Sequence, residues 1–154
     1  MKKTIVISPY SRVLRDGKEN AKNYPYWEAL IKLLHKEGYY IIQIGRKGEK
    51  ALPVKKHLYD LNLKQIGELV LNSNIWISVD NFLPHLCFKV KKSGIVLWGK
   101  SDPNIFGYQM NTNLLKDRKY LRKLQFDIWE KEEYDSDVFV SPEIVLEAVR
   151  KYEN

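Results

Sequence analysis

Three short stretches of this chain gather side chains able to hold an anionic ligand. The first is the loop of residues 9–24, which carries Arg12, Arg15, Lys18 and Lys22 in close succession. Guanidinium and ammonium groups make charge-assisted hydrogen bonds to phosphate oxygens, so a loop of this kind suits a diphosphate. The second is Gly45-Arg46-Lys47-Gly48-Glu49, a turn with two cations and one carboxylate. A carboxylate placed after a strand can accept hydrogen bonds from a ribose, which makes Glu49 a candidate for the nucleoside. The third is Asp80-Asn81-Phe82-Leu83-Pro84-His85, a polar turn running into a short helix. The amino end of a helix offers unpaired backbone N–H groups to an anion. His85, one turn in, could donate to a phosphate or sugar oxygen. Each stretch also has an ordinary alternative: a solvated loop, a surface turn, and a capped helix with a structural histidine.

No pattern identifies a catalytic group. GxGxxG, Walker, GxSxG and HExxH motifs are all absent, and the single cysteine, Cys87, has no partner. His85 and Cys87 stand two apart and so fall on different faces of a helix. The carboxylates of 130–133 and 135–137 read as a solvated acidic run. The catalytic residues are therefore unknown, and no metal or other cofactor is expected.

The elements that position these side chains follow from hydrophobic periodicity. Residues 3–8, KTIVIS, form a β-branched run stopped by Pro9. Pro25 is expected in the first turn of a helix whose Trp27, Leu30, Ile31 and Leu34 share one face, with Gly38 as its stop. Residues 39–44 make a second strand and 57–61 a short third. Asn62 and Gln65 are spaced as a variant capping box for a helix with Ile66, Leu69 and Val70 on its apolar face. Residues 75–79 and 94–98 are the fourth and fifth strands, with a short helix from Pro84 to about residue 91 between them. Strands alternating with helices predict an α/β class, a Rossmann-like, doubly wound parallel sheet in three layers. Such sheets bind ligands at the carboxyl ends of their strands, where all three candidate stretches fall. Residues 104–140 read as less regular. Ser141-Pro142-Glu143 opens a terminal helix over 141–152.

At 154 residues, without repeats or a linker, the chain is expected to form a single domain over 1–154. Hydrophobic residues make up 44% and charged ones 29%, values of an ordinary globular protein rather than a disordered or membrane-spanning one. The apolar run after Lys2-Lys3 is too short for a signal peptide, so cytoplasmic residence is the expectation. A net charge of +7 favours anionic partners without choosing among them.

In order along the chain, these segments resemble the carboxyl-terminal half of glycosyltransferase family 9, the ADP-heptose:lipopolysaccharide heptosyltransferase type. That half is a Rossmann-like part of the GT-B fold and holds the nucleotide-sugar donor. The opening strand with Ser8-Pro9-Tyr10-Ser11-Arg12 looks like the family's first strand and small-residue turn. Ala21-Lys22-Asn23-Tyr24-Pro25 is similar to its K-x-W-P segment, whose lysine faces the donor phosphates. Gly45 to Glu49 resembles its G-x-x-x-E turn, whose glutamate contacts the nucleoside. Asp80-Asn81 with His85-Leu86 is similar to D-[ST]-G-x-x-H-[LI], and Gly99-Lys100-Ser101-Asp102-Pro103 looks like G-x-[ST]-D-P. The resemblance implies donor contacts by Ser8, Arg12, Lys22, Glu49, Asp80, Asn81, His85 and Ser101. Phe82 departs from the family, standing where it has glycine.

The resemblance further implies a chain that binds a nucleoside diphosphate or nucleotide sugar, with no metal. The family's acceptor-binding half, with its general base, has no counterpart in the sequence, so transfer would need a separate acceptor-binding chain or a homo-oligomer. Two alternatives stay open. One is a non-catalytic nucleotide-binding or protein-interaction module on the same fold. The other is a nucleic-acid-binding basic domain, which the charge and the aromatics of 108–129 favour but no RNP-like or helix-turn-helix pattern supports.

Overall fold

A computed structural model describes residues 2–153. Six parallel strands form one sheet in the order β3-β2-β1-β4-β5-β6: β1 (Thr4–Ser8), β2 (Tyr40–Gly45), β3 (Lys56–Tyr59), β4 (Ile75–Val79), β5 (Ile95–Trp98) and β6 (Thr112–Leu115). Helices α1 (Trp27–Lys36), α2 (Leu63–Leu71), α3 (Phe82–Lys89), α4 (Pro103–Phe106) and α5 (Pro142–Tyr152) complete the fold. This is the doubly wound, Rossmann-like arrangement that the alternating pattern predicted.

Both faces of the sheet are buried, which is why its inner strands read as unbroken apolar runs. Ile5, Ile7, Ile75, Ile77, Ile95 and Leu97 face a core closed by α1 and α5. Val6, Trp76, Val96 and Trp98 face a second core closed by α2 and α3. Gly94 is needed where the chain passes Trp76, because a Cβ there would overlap the indole.

Local chemistry sets the helix limits. Asn62 and Gln65 form a reciprocal capping box at α2, with bonds of 2.8 and 2.9 Å. Gly38, at φ +88°, ends α1: its N–H bonds the His35 carbonyl and the Tyr39 N–H bonds that of Leu34. Ser141 caps α5 ahead of Pro142. Pro25 is one correction, since α1 starts at Trp27 with Tyr26 at the cap and the proline lies outside the first turn. The less regular region is another. Residues 104–140 contain the sixth strand, β6, too short and too polar (Thr112-Asn113-Leu114-Leu115) to show in periodicity. Three 3₁₀ turns follow it, at Arg118–Tyr120, Trp129–Lys131 and Ser136–Val138. No helix among the described residues is long and apolar enough to cross a membrane.

Candidate functional site

The strand order reverses between β1 and β4: chain-neighbouring strands lie to opposite sides of that pair, which opens a crevice at their carboxyl ends. Ser8 and Ser78 are register partners at the floor of this crevice. Asn81, just beyond β4, ties the floor together. Its Nδ2 donates to Ser8 Oγ at 3.0 Å and to the carbonyls of Ser8 and Tyr10 at 3.2 Å each. Its Oδ1 accepts from the Leu83 N–H at 3.0 Å, capping α3. Ser8 is buried and already bonded, so Asn81 and Ser8 are a brace beneath the crevice rather than open ligand groups.

The basic loop is ordered by amides, not by its cations. Asn20 accepts from the Lys22 N–H at 3.0 Å and donates to the Arg12 carbonyl at 3.1 Å. Asn23 accepts from the Ser11 N–H at 2.8 Å, and the Ser11 hydroxyl donates to the Asp80 carbonyl at 2.6 Å. Asn20, Asn23 and Ser11 are all buried. Together they aim Lys22 inward, where its Nζ meets Asp80 Oδ2 at 3.2 Å. The two side chains are only 22% and 13% exposed, so this pair is far more sheltered than a surface ion pair. Arg12 takes another course: exposed at the rim, its charge helps hold the Glu130 carboxyl below its usual range, where the Arg15 N–H bond is the main cause.

A strap of residues 118–134 comes over the same edge from beyond β6. Buried Arg122 knots it: Nε donates to Glu132 at 3.0 Å, and its terminal nitrogens donate to the carbonyls of Asp127 and Ile128 at 2.9 Å each. Lys100 also reaches Glu132, at 3.3 Å, and the Glu133 carbonyl at 2.8 Å. Gln125 bonds the Lys100 and Arg122 carbonyls and accepts from the Asp102 N–H. The strap joins the basic loop through Glu130 and through Tyr134, whose hydroxyl donates to the Asn23 carbonyl. Trp129 completes the junction, its ring centroid 5.1 Å from Lys22 Nζ and 4.1 Å from the Arg122 guanidinium carbon.

Other candidates lie around this centre. Ser101 is buried, and its hydroxyl has no protein partner; the Ser78 hydroxyl is in the same state. Asp102 caps α4 and pairs with Arg118 at 2.8 and 3.0 Å, which holds its carboxyl below the usual range. Glu49 folds back on its own turn and accepts from the Arg46 N–H at 2.6 Å. The Tyr10 hydroxyl is pushed up to about 12 by burial first and then by the Glu49 charge. His85 is exposed on α3 and turns to the Tyr108 hydroxyl, 2.7 Å away. The structure thus unites Lys22 with Asp80 and Asn81 with Ser8. It keeps Glu49 on its own turn and Arg12 on the rim, and it does not bring His85 to the Lys22 pair. Cys87 is buried in the second core, where desolvation raises its thiol to about 12.

Among the described residues, no three His, Cys, Asp or Glu side chains cluster as metal ligands. A groove of about 560 Å³ at the opposite, amino edge is lined by His35, Tyr39, Tyr40 and Lys55. It lies away from the strand ends where open α/β sheets take ligands.

No family model and no curated protein sequence matches the chain. Solved structures do. A glycosyl transferase family 9 structure from Veillonella parvula aligns with TM-score 0.74 at 16% identity, over 98% of this chain and 46% of that one. The E. coli ADP-heptose LPS heptosyltransferase II aligns at 0.69 and 17%, over 98% and 46%. E. coli heptosyltransferase WaaC, solved with ADP, aligns at 0.68 and 16%, over 98% and 44%. The chain therefore has a glycosyltransferase-like fold, similar to heptosyltransferase structures, and spans less than half the length of those proteins.

Proposed function

We propose that the chain binds a nucleoside diphosphate sugar in the crevice between β1 and β4, as the donor-holding part of a glycosyl transfer site. The observation that carries this reading is Lys22, a largely sheltered ammonium at the point where the strand order reverses. An incoming diphosphate competes with Asp80 for that ammonium and carries more charge than one carboxylate. As a nucleoside diphosphate departs from the sugar, negative charge grows on its terminal oxygens, and a fixed cation stabilises that charge most when water is excluded. Arg12 at the rim adds long-range attraction. Glu49 and Tyr10, at the β2 side of the same edge, offer hydrogen bonds to the nucleoside hydroxyls. None of these groups is a general base aligned with an acceptor, so transfer calls for an acceptor-bearing domain facing this crevice.

The heptosyltransferase structures named above include one with ADP, which makes ADP the first probe. Calorimetric titration should show ADP binding that falls about tenfold or more in Lys22→Ala, the scale of one charge-assisted hydrogen bond. No heat with ADP, UDP or their sugars at millimolar concentration would sink the reading. A non-catalytic nucleotide-binding module is the second reading, favoured by the crevice groups named above offering cations and hydrogen bonds but no general base. It predicts the same binding with no sugar transfer when acceptors are supplied.

A further inference from the structure

Trp129 reaches the crevice from a segment distant in the chain from Lys22, Asp80 and Asn81, and no donor-site motif includes it. The other three tryptophans, Trp27, Trp76 and Trp98, are buried core residues, whereas Trp129 is half-buried at the surface. Its ring stands 5.1 Å from Lys22 Nζ, inside the range where an indole face attracts an ammonium. The ring is itself fixed. Arg122 lies 4.1 Å from its centroid, and the three hydrogen bonds of that guanidinium lock the strap on both sides of Trp129.

A lysine side chain loses much rotamer freedom when its ammonium is fixed, and Asp80 alone gives a single contact at 3.2 Å. Between the carboxylate and the indole, the ammonium is held from two directions. The ring can keep hold when a ligand draws Lys22 off Asp80, since an ammonium has three N–H groups and the attraction to a ring face does not need the one given to the carboxylate.

We infer that Trp129 is a positioning residue: the strap carries its indole to Lys22 so that an anionic diphosphate meets a cation already in place. This rests on the donor-site reading above. It also gives the strap a role in affinity, because whatever loosens the Arg122 knot releases the ring from Lys22.

A double-mutant cycle with ADP on the full chain tests it. Trp129→Leu should weaken ADP binding roughly three- to thirtyfold, the scale of a sheltered cation–π contact. Trp129→Phe, which keeps a ring, should recover most of that loss. In the Lys22→Ala background, Trp129→Leu should change affinity less than about twofold, a threshold well inside one cation–π contact. An equal loss in both backgrounds would mean that Trp129 only packs the strap, and no loss in either would overturn the inference outright. Wild-type protein that binds neither ADP nor UDP nor their sugars removes the donor reading and this role with it, a result distinct from normal binding that ignores Trp129. Ring-current shifts supply a ligand-free check, independent of how the leucine variant folds. The Lys22 methylene protons next to Nζ should resonate upfield in the wild type, and unshifted protons there would overturn the placement.

Discussion

Two corners of the same sheet edge carry similar residues and hold them in opposite ways. At the β1–β4 corner, Lys22 and Asp80 come from distant segments, and contacts between distant residues hold their surroundings: the Ser11–Asn23 and Ser11–Asp80 bonds on one side, Trp129 and the Arg122 knot on the other. At the β2 corner, Glu49 closes a turn with the N–H of Arg46, three residues back, and Arg46 and Lys47 stay exposed. The first corner is a tertiary object and the second a local one. A ligand entering the first finds charges whose ordering cost was met in folding, whereas the second must reorder Glu49 as it binds. Preorganisation of that kind raises affinity without adding contacts. The β1–β4 corner should therefore dominate binding, and the β2 corner should tune it.

The largest effect should come from the knot behind the first corner. Arg122→Met leaves the Asp127 and Ile128 carbonyls without their donor and Glu132 with Lys100 alone, and should lower unfolding free energy by about 3 kcal/mol in urea denaturation. Amide exchange across 118–134 should quicken at the same time. A loss too small to measure would mean that the strap is held locally, and the contrast between the corners would fail. Asn81→Ala removes a helix cap and three loop bonds together and should cost about 2 kcal/mol. If it costs no more than a simple cap, the brace to Ser8 and Tyr10 carries no energy.

Alkaline titration sharpens the comparison where the corners meet. Tyr10 ionises near pH 10 when unfolded and near 12 when folded, so its contribution is complete below pH 10 and is lost as pH rises through 12. The wild type should lose stability relative to Tyr10→Phe over that interval, and a difference constant with pH would show that burial does not hold the phenol neutral. The smallest effect belongs to the second corner. Glu49→Gln should change stability by less than about 1 kcal/mol, the scale of one exposed hydrogen bond. A larger loss would show that this turn, too, is a tertiary element.

Much of the architecture was legible because its signals are local. Capping at Asn62, the stop at Gly38, the start at Ser141-Pro142 and the apolar faces of α1 and α2 each depend on neighbours a few residues away. The strands of the buried sheet were legible for a related reason, since burial on both faces makes them continuous apolar runs. β6 escaped because an edge strand of four residues, half-buried throughout, has neither alternation nor a run. The site was legible only in part. Lys22, Asp80 and Asn81 could be placed at strand ends by counting elements. His85 could be placed on α3, but not on the face that turns it to Tyr108.

The sequence by itself determined the order of the first five strands and their helices, their parallel pairing and the edge at which polar residues gather, because hydrogen bonding and hydrophobic periodicity act over a few residues. Only the tertiary structure decided which of those residues meet. Lys22 finds Asp80 because two buried asparagines and a serine shape its loop. Trp129 finds Lys22 because a buried arginine folds an otherwise irregular strap across the sheet. These partners lie far apart in the chain, and the energy that joins them comes from burial of polar groups that must be satisfied at the same moment, a condition no local pattern records.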